Sequence, residues 1–160
     1  MSSSMYGVTI WDAQVQGVPR PQGSKAVGVS SKSGRAHIYD VNSAALRTWR
    51  EQVAKEVAEH RPTRVKRPGA VAVKLLFYMP RKGPRALPTH HPDLDKLVRA
   101  VLDALTGVAF EDDSQVISLQ AEEVFTMGDP YLTGARIRVA RVTDPDAFSA
   151  SAGQRLFGDS

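Results

Sequence analysis

No cysteine occurs anywhere in the 160 residues. That excludes disulfides and thiolate metal sites and fits a reducing compartment, so a cytoplasmic protein is expected. No apolar run approaches the ~20 residues that a membrane-spanning helix needs, so no membrane partner is expected. The first residues, MSSSMYGVTIWDAQ, carry no basic head before an apolar segment, which argues against a signal peptide. Positive charge is missing too, but only locally: residues 101–130 hold no Lys or Arg against seven Asp and Glu.

The remainder of the chain reverses that balance. Residues 1–100 carry 17 Lys and Arg against 7 Asp and Glu, and residues 131–160 carry 4 against 3, so the net charge of +4 conceals a basic body around an acidic insert. A polyanion suits the first and a metal cation the second; uneven but solvated surface charge is the plain alternative. The length and the 42% hydrophobic content suit one domain with a real core.

Periodicity orders the chain. YGVTIW (6–11) reads as a strand, followed by a basic loop rich in Gly, Pro and Ser. NSAALRTWREQVAKEVAEH is a helix with Asn42 or Ser43 as its N-cap and a stripe of Leu46, Trp49, Val53 and Val57. AVAVKLLFYM (70–79) is β-rich and alternating; a second basic loop, PRKGPRALPTHHP, follows it. Leu94, Leu97, Val98, Val101, Leu102 and Leu105 share one helical face, and Gly107 is a natural stop. Two more strands, SQVISLQAEEVF and ARIRVARV, complete the order β-α-β-α-β-β. This predicts an α+β fold: a single domain over 1–142, with a small mixed β-sheet and helices packed on one face. The aperiodic residues 143–160 are expected to form a flexible tail.

Carboxylates gather around the second helix, in HHPDLDK at its start and EDD beyond its end. One reading is structural: Asp93 caps the helix, Asp95 favours its dipole, and Asp95–Arg99 and Arg99–Asp103 are i,i+4 ion pairs. The other is functional. If the following strand extends back to the acid pair, period two places Asp113 with Ile117 and Leu119, facing the helix, and Asp112 opposite. Asp93, Asp95 and Asp113 would then converge. Two unit charges 4 Å apart repel by about 4 kcal/mol at an effective dielectric near 20, so such a cluster requires a cation. Oxygen-only ligands favour Mg²⁺, with Mn²⁺ as a substitute. Combined with basic loops that grip phosphates, such a site points to phosphodiester hydrolysis.

Candidate phosphate contacts are Arg20, Lys25, Lys32 and Arg35 in the first loop and Arg81, Lys82 and Arg85 in the second, with His37 beside the former. His90 and His91 can contact phosphate, ligate metal or simply be solvated. Glu111 is read as a turn residue or an outer-shell support. Glu123 shares the parity of Asp113 but lies about 30 Å along an extended strand, too distant for the same site.

DLDKLVRAVLDALTGVAFEDDSQV resembles the core of the RusA family of Holliday junction resolvases, whose pattern is Asp-x-Asp-Asn-Leu-x-Lys-x-x-x-Asp-Ala-Leu, a short gap, then Asp-Asp-x-Gln-[Val/Ile]. The resemblance implies a homodimeric, Mg²⁺-dependent endodeoxyribonuclease that resolves four-way DNA junctions by paired nicks, in DNA recombination and repair. Asp93, Asp95 and Asp113 match its catalytic, metal-binding acids. Asp103 matches an acid read as structural. Two positions depart: Lys96 stands where the pattern has Asn, and Arg99 where it has Lys. Arg99 can stabilise transition-state charge, but a permanently protonated guanidinium does not transfer protons readily; Lys96 is assigned to DNA contact. A nuclease for flaps or forks, or a non-catalytic DNA-binding module, stands as the alternative.

Overall fold

Strand and helix periods set the architecture. A computed structural model describes residues 3–158 other than 5, 24, 41, 42, 61, 82 and 91. In chain order the elements are β1 (Ser3–Ser4), β2 (Gly7–Gln16), β3 (Lys25–Val29), β4 (Ala36–Asp40), α1 (Ser43–His60), β5 (Val71–Met79), α2 (Leu94–Leu105), β6 (Val116–Phe125), β7 (Gly134–Val142), α3 (Pro145–Ala150) and α4 (Ala152–Phe157). Five strands form one mixed sheet in the order β1-β2-β7-β5-β6, and β3 and β4 form a separate two-stranded one. The fold is α+β.

β5 lies between β7 and β6 and is buried along most of its length, as a central strand with VAVKLLFYM should be. The α1 stripe is buried as its spacing predicts, with Trp49, Val53 and Val57 nearly inaccessible. α1 packs on α2 and β2, and α2 packs on β6, so both helices cover the same face of the sheet. In α2 the innermost residues are Leu97, Ala100, Val101, Ala104 and Leu105, while Leu94 and Leu102 are only partly buried. The apolar stripe is therefore rotated from the one its leucines suggest, because small alanines let the helix sit close to the sheet.

One consequence of topology governs the site. β5 and β6 are parallel and adjacent, and α2 connects them. The chain must return to its starting end before β6 can run the same way as β5. α2 is therefore antiparallel to β6, and its first turn lies beside the end of that strand.

Two segments differ from their sequence reading. Where Gly and Ser suggest a loop, residues 25–40 form the β3–β4 hairpin, closed by Ser30 N–H to Arg35 O at 3.0 Å and Gly34 N–H to Ser30 O at 2.8 Å. Gly34 takes φ +64°, the left-handed conformation that such a turn demands. The tail forms α3 and α4. The Asp144 side chain caps α3 by accepting from Ala147 N–H, and the Arg155 guanidinium lies over the rings of Phe148 and Tyr6. Six-residue helices are too short for periodicity to reveal. Among the described residues no helix is long and apolar enough to cross a membrane.

Candidate active site

Asp93 is the N-cap residue of α2, but its side chain makes no capping hydrogen bond. Only its carbonyl serves the helix, accepting from Lys96 and Leu97 N–H at 3.1 Å each. Its carboxylate instead has Oδ2 3.5 Å from Lys96 Nζ. The capping role that the sequence allowed is thus played by backbone alone. Among the described residues, neither the Asp95–Arg99 nor the Arg99–Asp103 ion pair closes to within 4 Å.

Those three residues line a groove instead. Asp95, Arg99 and Asp103 recur every four residues along one flank of α2, about 6 Å apart along its axis. With Asp113 they border a hollow of about 680 Å³ whose apolar wall includes Leu94, Val98, Leu102 and Leu119. The acids on either side of the helix-to-strand unit thus open onto the same surface.

Asp113 reaches the groove by a route that strand alternation did not foresee. Residues 113–115 form a 3₁₀ turn and β6 starts only at Val116, so the period-two argument does not apply to them. The selection is made by hydrogen bonding. Gln115 is buried; its Oε1 accepts from Glu111 and Asp112 N–H at 2.9 Å each, and its Nε2 donates to Val65 O and Gly69 O at 3.1 and 2.8 Å. Asp112 Oδ1 accepts from Ser114 N–H at 2.9 Å, and its Oδ2 accepts from Arg67 Nη2 at 3.1 Å. Glu111 Oε2 accepts from Arg67 N–H at 3.1 Å. Glu111 and Asp112 are thereby tied to the 65–69 segment, and the exposed Asp113 faces the groove. Hydrogen bonds from Ser114, aided by the Arg67 charge, hold the Asp112 carboxyl below the ordinary range, so it remains an ionised structural group. The position of Gln115 in the acid motif was the only sequence signal of this clasp.

Beside the groove, separated by the start of α2, lies a second cavity of about 290 Å³ that Asp93 lines with Arg20, His90, Lys96 and Glu123. Here the distance argument about Glu123 needs correction. Glu123 is far along β6 from Asp113, but the antiparallel course of α2 brings it beside Asp93. Burial, and then the Asp93 charge, raise the Glu123 carboxyl above its usual range.

The expected convergence of Asp93, Asp95 and Asp113 on one point is not met. Among the described residues no three His, Asp or Glu side chains group closely enough to hold an ion. The acids are distributed along the groove and across the helix start, because α2 separates its two ends by its full length. What the donor set does suit is the open coordination of Mg²⁺, which takes one or two carboxylates and completes its shell with water and substrate phosphate.

The basic candidates lie in the β3–β4 hairpin, the loop before α2 and the lining of the Asp93 cavity. Lys32 and Arg35 are exposed in the β3–β4 hairpin turn, and Arg20 lines the cavity. Arg81 and Arg85 are exposed in the loop leading to α2, with Arg81 Nη2 donating to Pro84 O at 3.3 Å. Lys82, His91 and Asn42 lie outside the described residues, as do the side chains of Lys25, His37 and Ser43. A further basic patch was passed over in the sequence: Arg64, Lys66 and Arg67 line a groove with Arg141. Its components are separated in sequence by more than 70 residues, so only the β5–β7 pairing assembles it.

An uncharacterized protein of Bacillus subtilis strain 168, YqaN, is 30% identical over 125 residues, covering 70% of this chain and 85% of its own. Residues 16–140, which include both acid-bearing segments and Gln115, match the family described as Endodeoxyribonuclease RusA. The chain belongs to the RusA family of endodeoxyribonucleases.

Proposed function

We propose that this protein is a Mg²⁺-dependent nuclease that resolves four-way DNA junctions as a homodimer, in the recombination and repair of DNA in the bacterial cytoplasm. The observation that carries the reading is the groove along α2, where Asp95 and Asp113 are exposed beside Arg99. Family membership supplies the reaction class, and the motif's likeness to junction resolvases supplies the substrate.

Asp93, Asp95 and Asp113 are the carboxylates assigned to Mg²⁺, with no more than one or two of them on any one ion. When bound, Mg²⁺ lowers the pKa of a coordinated water and offsets charge at phosphorus. The chain's own residues do the remaining work. Arg99, between Asp95 and Asp103 on the helix flank, offsets charge on the phosphoryl oxygens. Arg20, Lys32, Arg35, Arg81 and Arg85 hold backbone phosphates, as do Lys25 at the start of β3 and Lys82. Lys96 balances Asp93 and presents a second cation to the strand. Two copies related by a two-fold axis match the symmetry of the junction and supply one cut to each of two strands.

The test is cleavage of an end-labelled four-way junction in Mg²⁺, compared with a fork and a linear duplex of the same sequence. Paired nicks in the junction, lost in Asp95→Asn with binding retained, support the reading. Equal rates on the three substrates overturn the junction assignment, and equal rates for the native and Asp95→Asn proteins remove Asp95 from the mechanism.

A further inference from the structure

The cavity on the Asp93 side of α2 has a chemistry unlike that of the groove. Phe125 and Met79, only 7% and 6% exposed, form part of its lining, and Pro19, Pro80 and Pro92 contribute rigid apolar walls. The His90 ring lies 6.2 Å from that of Phe125 at 45°. Its volume, about 290 Å³, is close to the lower bound for small-ligand pockets, ~300 Å³.

Two of the residues that line this space each carry a buried polar atom without a hydrogen-bond partner among the described residues: Glu123 Oε2 and His90 Nδ1. Buried polar atoms in folded proteins are almost always paired, so two orphans on the lining residues of one cavity leave hydrogen-bonding capacity for a ligand's polar edge. The lining also carries balanced charge, Arg20 and Lys96 against Asp93 and Glu123. A flat, uncharged group with N–H donors on its rim gains both from the apolar walls and from the orphaned acceptor.

A nucleobase has that chemistry. Unstacked bases are recognised by packing on aromatic and apolar side chains while their polar edges are hydrogen-bonded, and a carboxylate accepts from an exocyclic amino group. The position is apt as well. Asp93 lines the cavity and Asp95 the groove, and two residues span at most about 7 Å of chain. We propose that this cavity receives one unstacked, amino-bearing base from the nucleotide beside the scissile phosphate, with the Glu123 carboxylate accepting its amino group. The inference rests on the junction-nuclease reading, because a branch point presents bases free to leave the stack.

The test uses the full-length protein and four-way junctions that carry 2-aminopurine singly at each position around the branch. Binding is measured in Ca²⁺ by gel retention, and unstacking by 2-aminopurine fluorescence. The expected result is a fluorescence rise on binding at one position flanking the cut. In Glu123→Gln, which keeps the side chain's size, affinity for the amino-bearing base at that position falls about tenfold, while an abasic site there is bound equally by both proteins. Retention of the junction with no fluorescence rise at any position overturns the base pocket and leaves the nuclease reading intact. A rise that Glu123→Gln leaves unchanged overturns the role of Glu123. Failure to prefer the junction over duplex overturns both the junction assignment and this inference.

Discussion

Asp93 and Asp95 stand two residues apart at the start of one helix, yet they border spaces of opposite character. The Asp95 side is an open groove in which exposed charges follow the helix flank to Asp113. The Asp93 side is a smaller cavity with proline and aromatic walls and charges that cancel. The difference teaches that a motif is not a site. Helical geometry turns successive residues by about 100°, so an Asp-x-Asp pair at a helix start can serve two surfaces at once. A strand of DNA across the helix start would meet ionic chemistry on one side and apolar shape on the other.

The comparison breaks most visibly at the groove. Asp95→Asn and Asp113→Asn are each expected to lower junction cleavage by about 10²–10³-fold, several kcal/mol of transition-state stabilisation, with binding retained. Asp112→Asn, one residue from Asp113 but tied to Arg67 and Ser114, should leave cleavage within about twofold while lowering Tm slightly. Single-turnover rates on a labelled junction decide this, and a large loss in Asp112→Asn with little in Asp113→Asn would falsify the assignment.

Gln115→Leu tests whether the clasp is what presents Asp113. Four hydrogen bonds vanish and their backbone partners are left in a poorly hydrated place, so stability should fall by about 2–3 kcal/mol, or roughly 6–10 °C in Tm. Cleavage at a temperature where the variant is folded should fall as well. Unchanged cleavage in the folded variant would show that Asp113 needs no such support.

Metal response sharpens the contrast between the two sides. Mg²⁺ at about tenfold its dissociation constant should add roughly 1.4 kcal/mol of stability to the native protein, measured as a rise in Tm. Asp113→Asn should lose most of that gain, whereas Glu123→Gln on the cavity side should keep it.

The smallest effect belongs to the face of the sheet away from both hollows. Burial works to raise the Asp12 carboxyl, but hydrogen bonds and charge from Arg136 and Arg138 outweigh it and hold it below its usual value of 3.8. Because the folded pKa is depressed, the stability it contributes is present above the unfolded value and lost as pH falls through the folded one. Asp12→Asn should therefore flatten the acid limb of a Tm-against-pH profile below about pH 4, by no more than about 1 kcal/mol after solvent screening, with junction cleavage unchanged.

Much of the fold is legible in the sequence because its signals are local. The α1 stripe, the β5 alternation and the leucine pattern of α2 each declare their element within a dozen residues. The β3–β4 hairpin and the two tail helices are not legible in this way. Glycine and serine obscure the former, and six residues are too few for a helical period in the latter.

The candidate site divides along the same line. The sequence alone marked the acids that are candidates for the chemistry and, through their motif, the family. Only the tertiary structure decided which of them share a surface. Asp93 meets Glu123 because a helix joining parallel strands must run backwards, and Asp113 faces the groove because Gln115 reaches Val65 and Gly69, some 50 residues earlier in the chain. Residue type and spacing are short-range properties, whereas the direction of a crossover and the partner of a buried amide depend on contacts that only the folded chain makes.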